Sequence, residues 1–273
     1  MKKYKFPIVY LLLLCIILLG QLVYDRVQTK KIHSAITKAS QEIKKAPFTI
    51  RNGEKLKFSV RWLGMEVGTA EAVVKGIEKV RGRDAYHIAA FARSNSLIDL
   101  VYPVRDEHHT YIDVKYLYSL RYEKILREGR YRANEVIEFD QENHKALHRS
   151  RKNGSKKQVL ILKDVQDEVS SAYWFRMQPM KVGDTVHIAA NADEKNWDFQ
   201  VKILQQDRIK IKELGTFNAF QIEPSAKFRG VFVRRGKIRG WMSMDEKRLP
   251  LMMKTKIPVL GTITVVLVGY EGW

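Results

Sequence analysis

Two textures of apolar and polar residues divide this chain. Residues 7–24, PIVYLLLLCIILLGQLVY, form an uncharged run of 18; as a helix rising about 1.5 Å per residue it spans roughly 27 Å, close to the apolar thickness of a bilayer. A globular helix of that length carries a polar stripe, whereas here the first polar interruption after Tyr10 is Gln21. The pattern predicts a transmembrane helix over 1–24, retained as an anchor or uncleaved signal. Residues 25–50 follow as a basic tether, and Ile32, Ile36 and Ile43 give it the spacing of a short amphipathic helix ending near Pro47. Such a helix either lifts the next domain off the bilayer or lies on anionic lipid.

After Gly53 the period changes to two. Leu56, Phe58 and Val60 alternate with Lys55, Lys57, Ser59 and Arg61, the signature of a half-buried strand, and Trp62 closes it. Turns at Leu63-Gly64-Met65 and Arg81-Gly82-Arg83 separate it from strands over 67–77 and 85–92. Similar runs recur at 117–126, 136–139, 159–162, 185–190, 197–204, 217–222, 231–235, 238–244, 251–257 and 262–268. VSSAYWFRM at 169–177 reads as a short helix, with Asp167 or Ser170 as its cap and Pro179 and Gly183 beyond its end. The expectation is a single all-β, mainly antiparallel domain over 51–273. It is a curled sheet, half-barrel or barrel with one or two short helices, preceded by the transmembrane helix. Periodicity leaves closed barrel, half-barrel and sandwich open.

Charge adds an address and a class of partner. Lys2, Lys3 and Lys5 precede the apolar run and Arg26, Lys30 and Lys31 follow it; a short tail stays inside, which places the large domain outside the cytoplasm. No small-x-small cleavage site follows the run, and Leu14 before Cys15 does not fit lipidation. The expected location is single-pass in the inner membrane with the C-terminal domain in the periplasm. Across 273 residues, 49 Lys and Arg stand against 30 Asp and Glu, a formal +19, and such a field attracts anions in a salt-dependent way. Cys15 is the sole cysteine, so the domain has neither an internal disulfide nor a thiolate metal site.

Basic residues gather at two hairpins: Arg121, Lys124, Arg127, Arg130 and Arg132 at one, Lys227, Arg229, Arg234, Arg235, Lys237 and Arg239 at the other. They read equally as contacts for acidic lipid or lipopolysaccharide head groups and as charges that stop edge strands from pairing. Nearby Tyr122, Tyr131, Phe228, Phe232 and Trp241 would suit nucleic-acid stacking, but an envelope location disfavours that partner. Leu97, Ile98, Leu100 and Val101, followed by Tyr102-Pro103, read as a mobile apolar flap or as core.

The chemistry-bearing residues carry little pattern. Adjacent His108 and His109 point to opposite faces if they sit on a strand, so they do not share an ion. His144 and His148 have zinc-helix spacing without its glutamate, in a segment that reads as strand or turn. The serines lack a nucleophile-elbow setting, and neither a phosphate loop nor a dinucleotide fingerprint is present. No catalytic site, metal or cofactor is expected.

GEKLKFSVRWLGMEVGTAEAVV at 53–74, LREGRYRANEVIEFD at 126–140, VSSAYWFRM at 169–177 and GWMSMDEKRLPLMMKTKIPVLGTITVVL at 240–267 resemble, in order and spacing, the exported bacterial family DUF3108. The resemblance implies an exported, largely β domain and supplies no catalytic residues. The closing strand, Asp-x-x-x-Leu-Pro, strand, Gly, strand pattern is also similar to lipoprotein-carrier (LolA/LolB-like) half-barrels, which shelter acyl chains. The function expected is non-enzymatic: a membrane-tethered domain binding or positioning an amphipathic anionic envelope component. The alternative is a structural or interaction domain with a filled core that docks an acidic protein partner.

Overall fold

A computed structural model describes residues 48–212, 214–228, 231–233, 237–257 and 261–272. The membrane segment read at 1–24 and the tether up to residue 47 lie outside the described residues. Among the described residues no helix is long and apolar enough to cross a membrane.

The first half of the domain runs through β1 (Lys55–Trp62), β2 (Met65–Val80), β3 (Arg83–Ser94), α1 (Ser96–Asp99), β4 (Arg105–Asp113), β5 (Ser119–Glu128), β6 (Tyr131–Asp140), β7 (Lys145–Ser150) and β8 (Lys156–Leu160). A short helix, α2 (Ser170–Arg176), divides it from the second half. There follow β9 (Thr185–Ala192), β10 (Lys195–Ile211), β11 (Gly215–Phe228), β12 (Val231–Val233), β13 (Lys237–Ser243), β14 (Pro250–Ile257) and β15 (Gly261–Glu271).

The strands make one sheet in the order β8-β7-β6-β5-β4-β3-β2-β1-β15-β14-β13-β11-β10-β9, with β12 attached to β11, and adjacent strands are antiparallel. Its two ends, β8 and β9, are not paired with each other, so the sheet curls without closing. Two-residue turns set the register of several hairpins. Leu63 and Gly64 have φ of 50° and 89°, and Arg81 and Gly82 have 49° and 82°; this left-handed pair matches strand twist in a tight hairpin. Register shifts at Lys57/Phe58, Val60/Arg61, Val74/Gly76 and Ile203/Gln205 mark bulges, which bend and twist the strands that carry them.

The connection between β8 and α2 crosses the open side. Gln166 pairs with Ala190 of β9 in a lone parallel bridge, while Gln141 donates to the carbonyls of Ser119 and Val165. The chain then turns inward as α2. Asp167 Oδ1 accepts from the Val169 and Ser170 amides, each at 2.8 Å, and Oδ2 accepts from the Thr110 and Ser119 hydroxyls, each at 2.5 Å. One carboxylate thus caps the helix and ties it to β4 and β5. Tyr173 of α2 packs with Val74, Ile88, Ile112 and Phe139 on one wall, and Phe175 with Ile188, Phe199, Ile222 and Met242 on the other. Phe48 and Ile50 are buried in the first of these cores.

The helix read at 169–177 is α2, and most strands lie where the period-two runs place them; the segment around His144 and His148, which reads as strand or turn, contains β7. The charged stretch Arg105–Asp113, which reads only as a polar strand end, is a full strand at the centre of the first half.

Candidate functional site

Between α2 and the concave face of the sheet lies a cavity of about 270 Å³, near the lower end of the ~300–1,000 Å³ typical of small-molecule sites. Its floor on β2 and β3 is a patch of four alanines. Ala70 faces Ala92 and Ala72 faces Ala90 in register, and side chains this short leave room beneath the helix. Gly240 does the same on β13, where a Cβ would stand 2.9 Å from Ile222 Cγ1. Phe58, Phe199, Trp241, Met242 and Met252 complete a predominantly apolar wall, and the methionines let it adapt to the shape of an occupant.

Two ionisable groups of the inner wall are held in distinct ways. Arg176 makes paired bonds to Glu54 at 2.8 and 2.5 Å and donates to the Arg248 and Lys247 carbonyls, each at 3.0 Å. Its charge is therefore committed to fixing α2 against the start of β1. His108 is buried on β4, and its Nδ1 stands 2.6 Å from Tyr122 Oη, which donates in turn to Glu168 Oε2 at 2.7 Å. Burial, reinforced by the positive charge of Lys124, pushes the His108 imidazole down to about 3, so it is neutral at physiological pH.

Behind the wall, Lys124 Nζ lies 3.0 Å from Asp193, 3.6 Å from Glu168 and 3.7 Å from Glu135. Burial opposes its charge, but these carboxylates outweigh burial and hold the ammonium above its usual range. Burial raises Glu168 to about 7. Toward the β5–β6 turn, burial and the adjacent Asp106 carboxyl raise Glu128 to about 8.

The basic residues of the first hairpin part company. Lys124 is a correction to the head-group set, because alternation along Ser119–Glu128 turns it inward with Leu120, Tyr122 and Leu126. Arg121 faces the other way and pairs with Glu123 and Glu138. Arg127, Arg130 and Arg132 are exposed around the turn. At the second hairpin, Arg239 pairs with Glu223. Arg229, Arg234 and Arg235 lie outside the described residues, as do the side chains of Lys227 and Lys237.

The segment read as flap or core divides between the two. Ile98 packs against Val60, Val67 and Ile263, whereas Leu97, Leu100 and Val101 are 63%, 83% and 86% exposed. Its base is anchored: Asn95 accepts from the Ile98 amide at 3.1 Å, and Asp99 pairs with Arg105 at 2.5 Å. Exposed Leu63 and Met65 belong to the same rim, since Asn95 bonds to the Glu66 and Val67 carbonyls. So does the basic turn, where Gly129 packs under the Tyr102 ring and donates to the Pro103 carbonyl. One rim of the curl therefore carries both an apolar cluster and three exposed arginines.

The remaining histidines sit apart. His109 faces outward to His87 and Glu107, opposite to His108 as strand alternation requires. His144 occupies a turn at φ 52°, and buried His148 bonds to Asn191 at 3.0 Å. Among the described residues no group of three or more His, Cys, Asp or Glu has an arrangement that would hold a metal ion.

The family model described as "Protein of unknown function (DUF3108)" matches residues 57–268, from within β1 to within β15. The chain belongs to the DUF3108 family. Its resemblance to that family is thereby confirmed, and all the cavity-lining residues but Leu56 fall within the match. Among curated proteins no sequence matches. A solved β-barrel-like protein of the DUF1849 family from Brucella abortus superposes with a TM-score of 0.52 at 8% identity, covering 82% of this chain and 99% of that one. A candidate lipoprotein from Parabacteroides distasonis gives a TM-score of 0.36 at 8% identity, covering 83% and 98%. A candidate exported protein with a YmcC-like fold from Bacteroides fragilis gives 0.31 at 10% identity, covering 82% and 98%. The first of these places the DUF3108 domain among barrel-like folds.

The alanine patch and His108 are the cavity-lining residues that sequence reasoning does not single out. Alanines in a strand look like weak strand formers until pairing shows four of them abutting. Lys124 had a signal, because LRYEKIL places it in period two with Leu120, Tyr122 and Leu126.

Proposed function

We propose that the DUF3108 domain is a non-enzymatic shelter for the apolar chain of an amphipathic envelope component. The observation that carries this reading is the cavity beneath α2, whose wall is mainly alanine, methionine and aromatic surface. The exposed arginines Arg127, Arg130 and Arg132 at the rim supply the complement for an acidic head, that of a lipid or lipopolysaccharide. The apolar rim residues Leu97, Leu100 and Val101 suit contact with a bilayer during loading or release. In this reading residues 7–24 anchor the domain to the inner membrane with the sheet in the periplasm, which a reporter fused after Trp273 tests by its compartment.

The decisive experiment is mass spectrometry of material extracted from the natively purified full chain, beside an Ala72→Trp variant. The indole placed on the floor of the cavity fills it without touching the rim. A lipid near one equivalent on the wild type and lost from A72W is the expected result. Lipid-free wild-type protein overturns the reading in favour of a sheet that docks an acidic protein partner, whose charge the same arginines match.

A further inference from the structure

We infer that the sheltered amphiphile bears a neutral hydrogen-bond donor, a hydroxyl or an amide N–H, that is received by Nε2 of His108 in the cavity wall. The inference rests on the shelter reading above and adds to it the chemistry of the occupant.

The direction of the hydrogen bonds behind the imidazole decides the matter. An ionised Glu168 only accepts, so the Tyr122 hydroxyl hydrogen points to Glu168 Oε2 across 2.7 Å. The Tyr122 oxygen, having given its one hydrogen away, accepts from His108 Nδ1 across 2.6 Å. Nδ1 thus carries the proton of the neutral ring and Nε2 is left with a lone pair. The charged groups around this relay favour that order. Lys124 is paired across from His108 on β5 and its charge favours the ionised form of Glu168 against burial, while Asp193 and Glu135 also lie against Lys124.

Nε2 has no partner among the described residues, though His108 is only 1% exposed and lines the cavity. A buried acceptor without a donor is costly, and an occupant that brings one removes the cost. A carboxylate or phosphate oxygen meets the lone pair as acceptor against acceptor, so the acidic head of a ligand is kept off this wall. The donor therefore belongs to the part of the ligand that enters: a hydroxylated chain, or a hydroxyl or amide where chain and head join.

The test uses the full chain in amphipol at pH 8.5, where Glu168 is ionised. It is titrated with 1-dodecanol and with 1-methoxydodecane, which has the same chain and oxygen but no donor, using cavity tryptophan fluorescence. The ratio of the two affinities in the wild type should exceed that in His108→Phe by roughly five- to tenfold. Nitrogen-15 NMR of the imidazole should show the Nδ1–H tautomer and a shift of Nε2 with the alcohol only. Tyr122→Phe, which retains the histidine but removes the relay, should lower the ratio and mix the tautomers. Binding of both probes with an unchanged ratio, or an Nε2–H tautomer in the wild type, overturns the inference and leaves the shelter reading standing. Binding of neither probe overturns both.

Discussion

Replacing Arg176 by methionine tests how the helix that roofs the cavity is held. The guanidinium bonds Glu54 twice, at 2.8 and 2.5 Å, and two backbone carbonyls at 3.0 Å, and lies 3.9 Å from the centre of the Phe48 ring. The Arg176 and Glu54 side chains are 3% and 0% exposed, so water replaces none of these contacts if one partner is removed. Methionine retains much of the apolar stem but strands the Glu54 carboxylate, and breaking one side of a buried pair costs about 3–5 kcal/mol. At about 2–4 °C per kcal/mol for a domain of this size, R176M should melt roughly 6–20 °C below the wild type. The double variant Glu54→Leu with Arg176→Met removes the stranded charge and should regain most of that loss, since apolar replacement of a buried pair is often neutral. Thermal and urea unfolding followed by circular dichroism measure all three. A loss below about 1 kcal/mol in R176M, or a double variant no more stable than the single, would refute the view that this pair clamps α2.

Three further outcomes are expected. Gly68→Ala puts a Cβ into the Arg93 carbonyl oxygen on the neighbouring strand, a backbone contact that does not yield easily; it should cost about 2–3 kcal/mol in urea unfolding. Glu128 keeps its proton up to about pH 8 when folded and releases it near 4.5 when unfolded. Between those values the folded state binds more protons, so stability falls as pH rises; E128Q should melt above the wild type at pH 9 and level with it at pH 4.5. Leu100→Ser and Val101→Ser alter side chains 83% and 86% exposed, so melting should move by no more than about 0.5 kcal/mol, and a larger drop would place them in the core.

Legibility followed the length scale of the interactions. β1 through β3 and their two turns were readable because a half-buried strand repeats every two residues and the Leu63-Gly64 and Arg81-Gly82 turns demand left-handed backbone. β4 resists, because Arg105-Asp-Glu-His-His-Thr offers no apolar alternation: its inward residues are Asp106, His108 and Thr110, each of which bonds to a group on β5 or to Asp167 just before α2. Counting charges along the chain groups Lys124 with a basic surface, whereas its parity with Tyr122 and Leu126 points it inward.

The sequence alone determined the all-β class, most of the strands, the helix at 170–176 and the family, since each depends on neighbours in the chain or on the order of short patterns. Tertiary structure decided that the sheet stays open, that four alanines from two strands lie together under α2, and that a histidine on a charged strand lines an apolar cavity with a tyrosine hydroxyl against its Nδ1. Those facts depend on residues as far apart as His108, Tyr122 and Glu168. Local periodicity carries the inside and outside of each strand, but the volume and polarity enclosed by several strands are set by which of them meet.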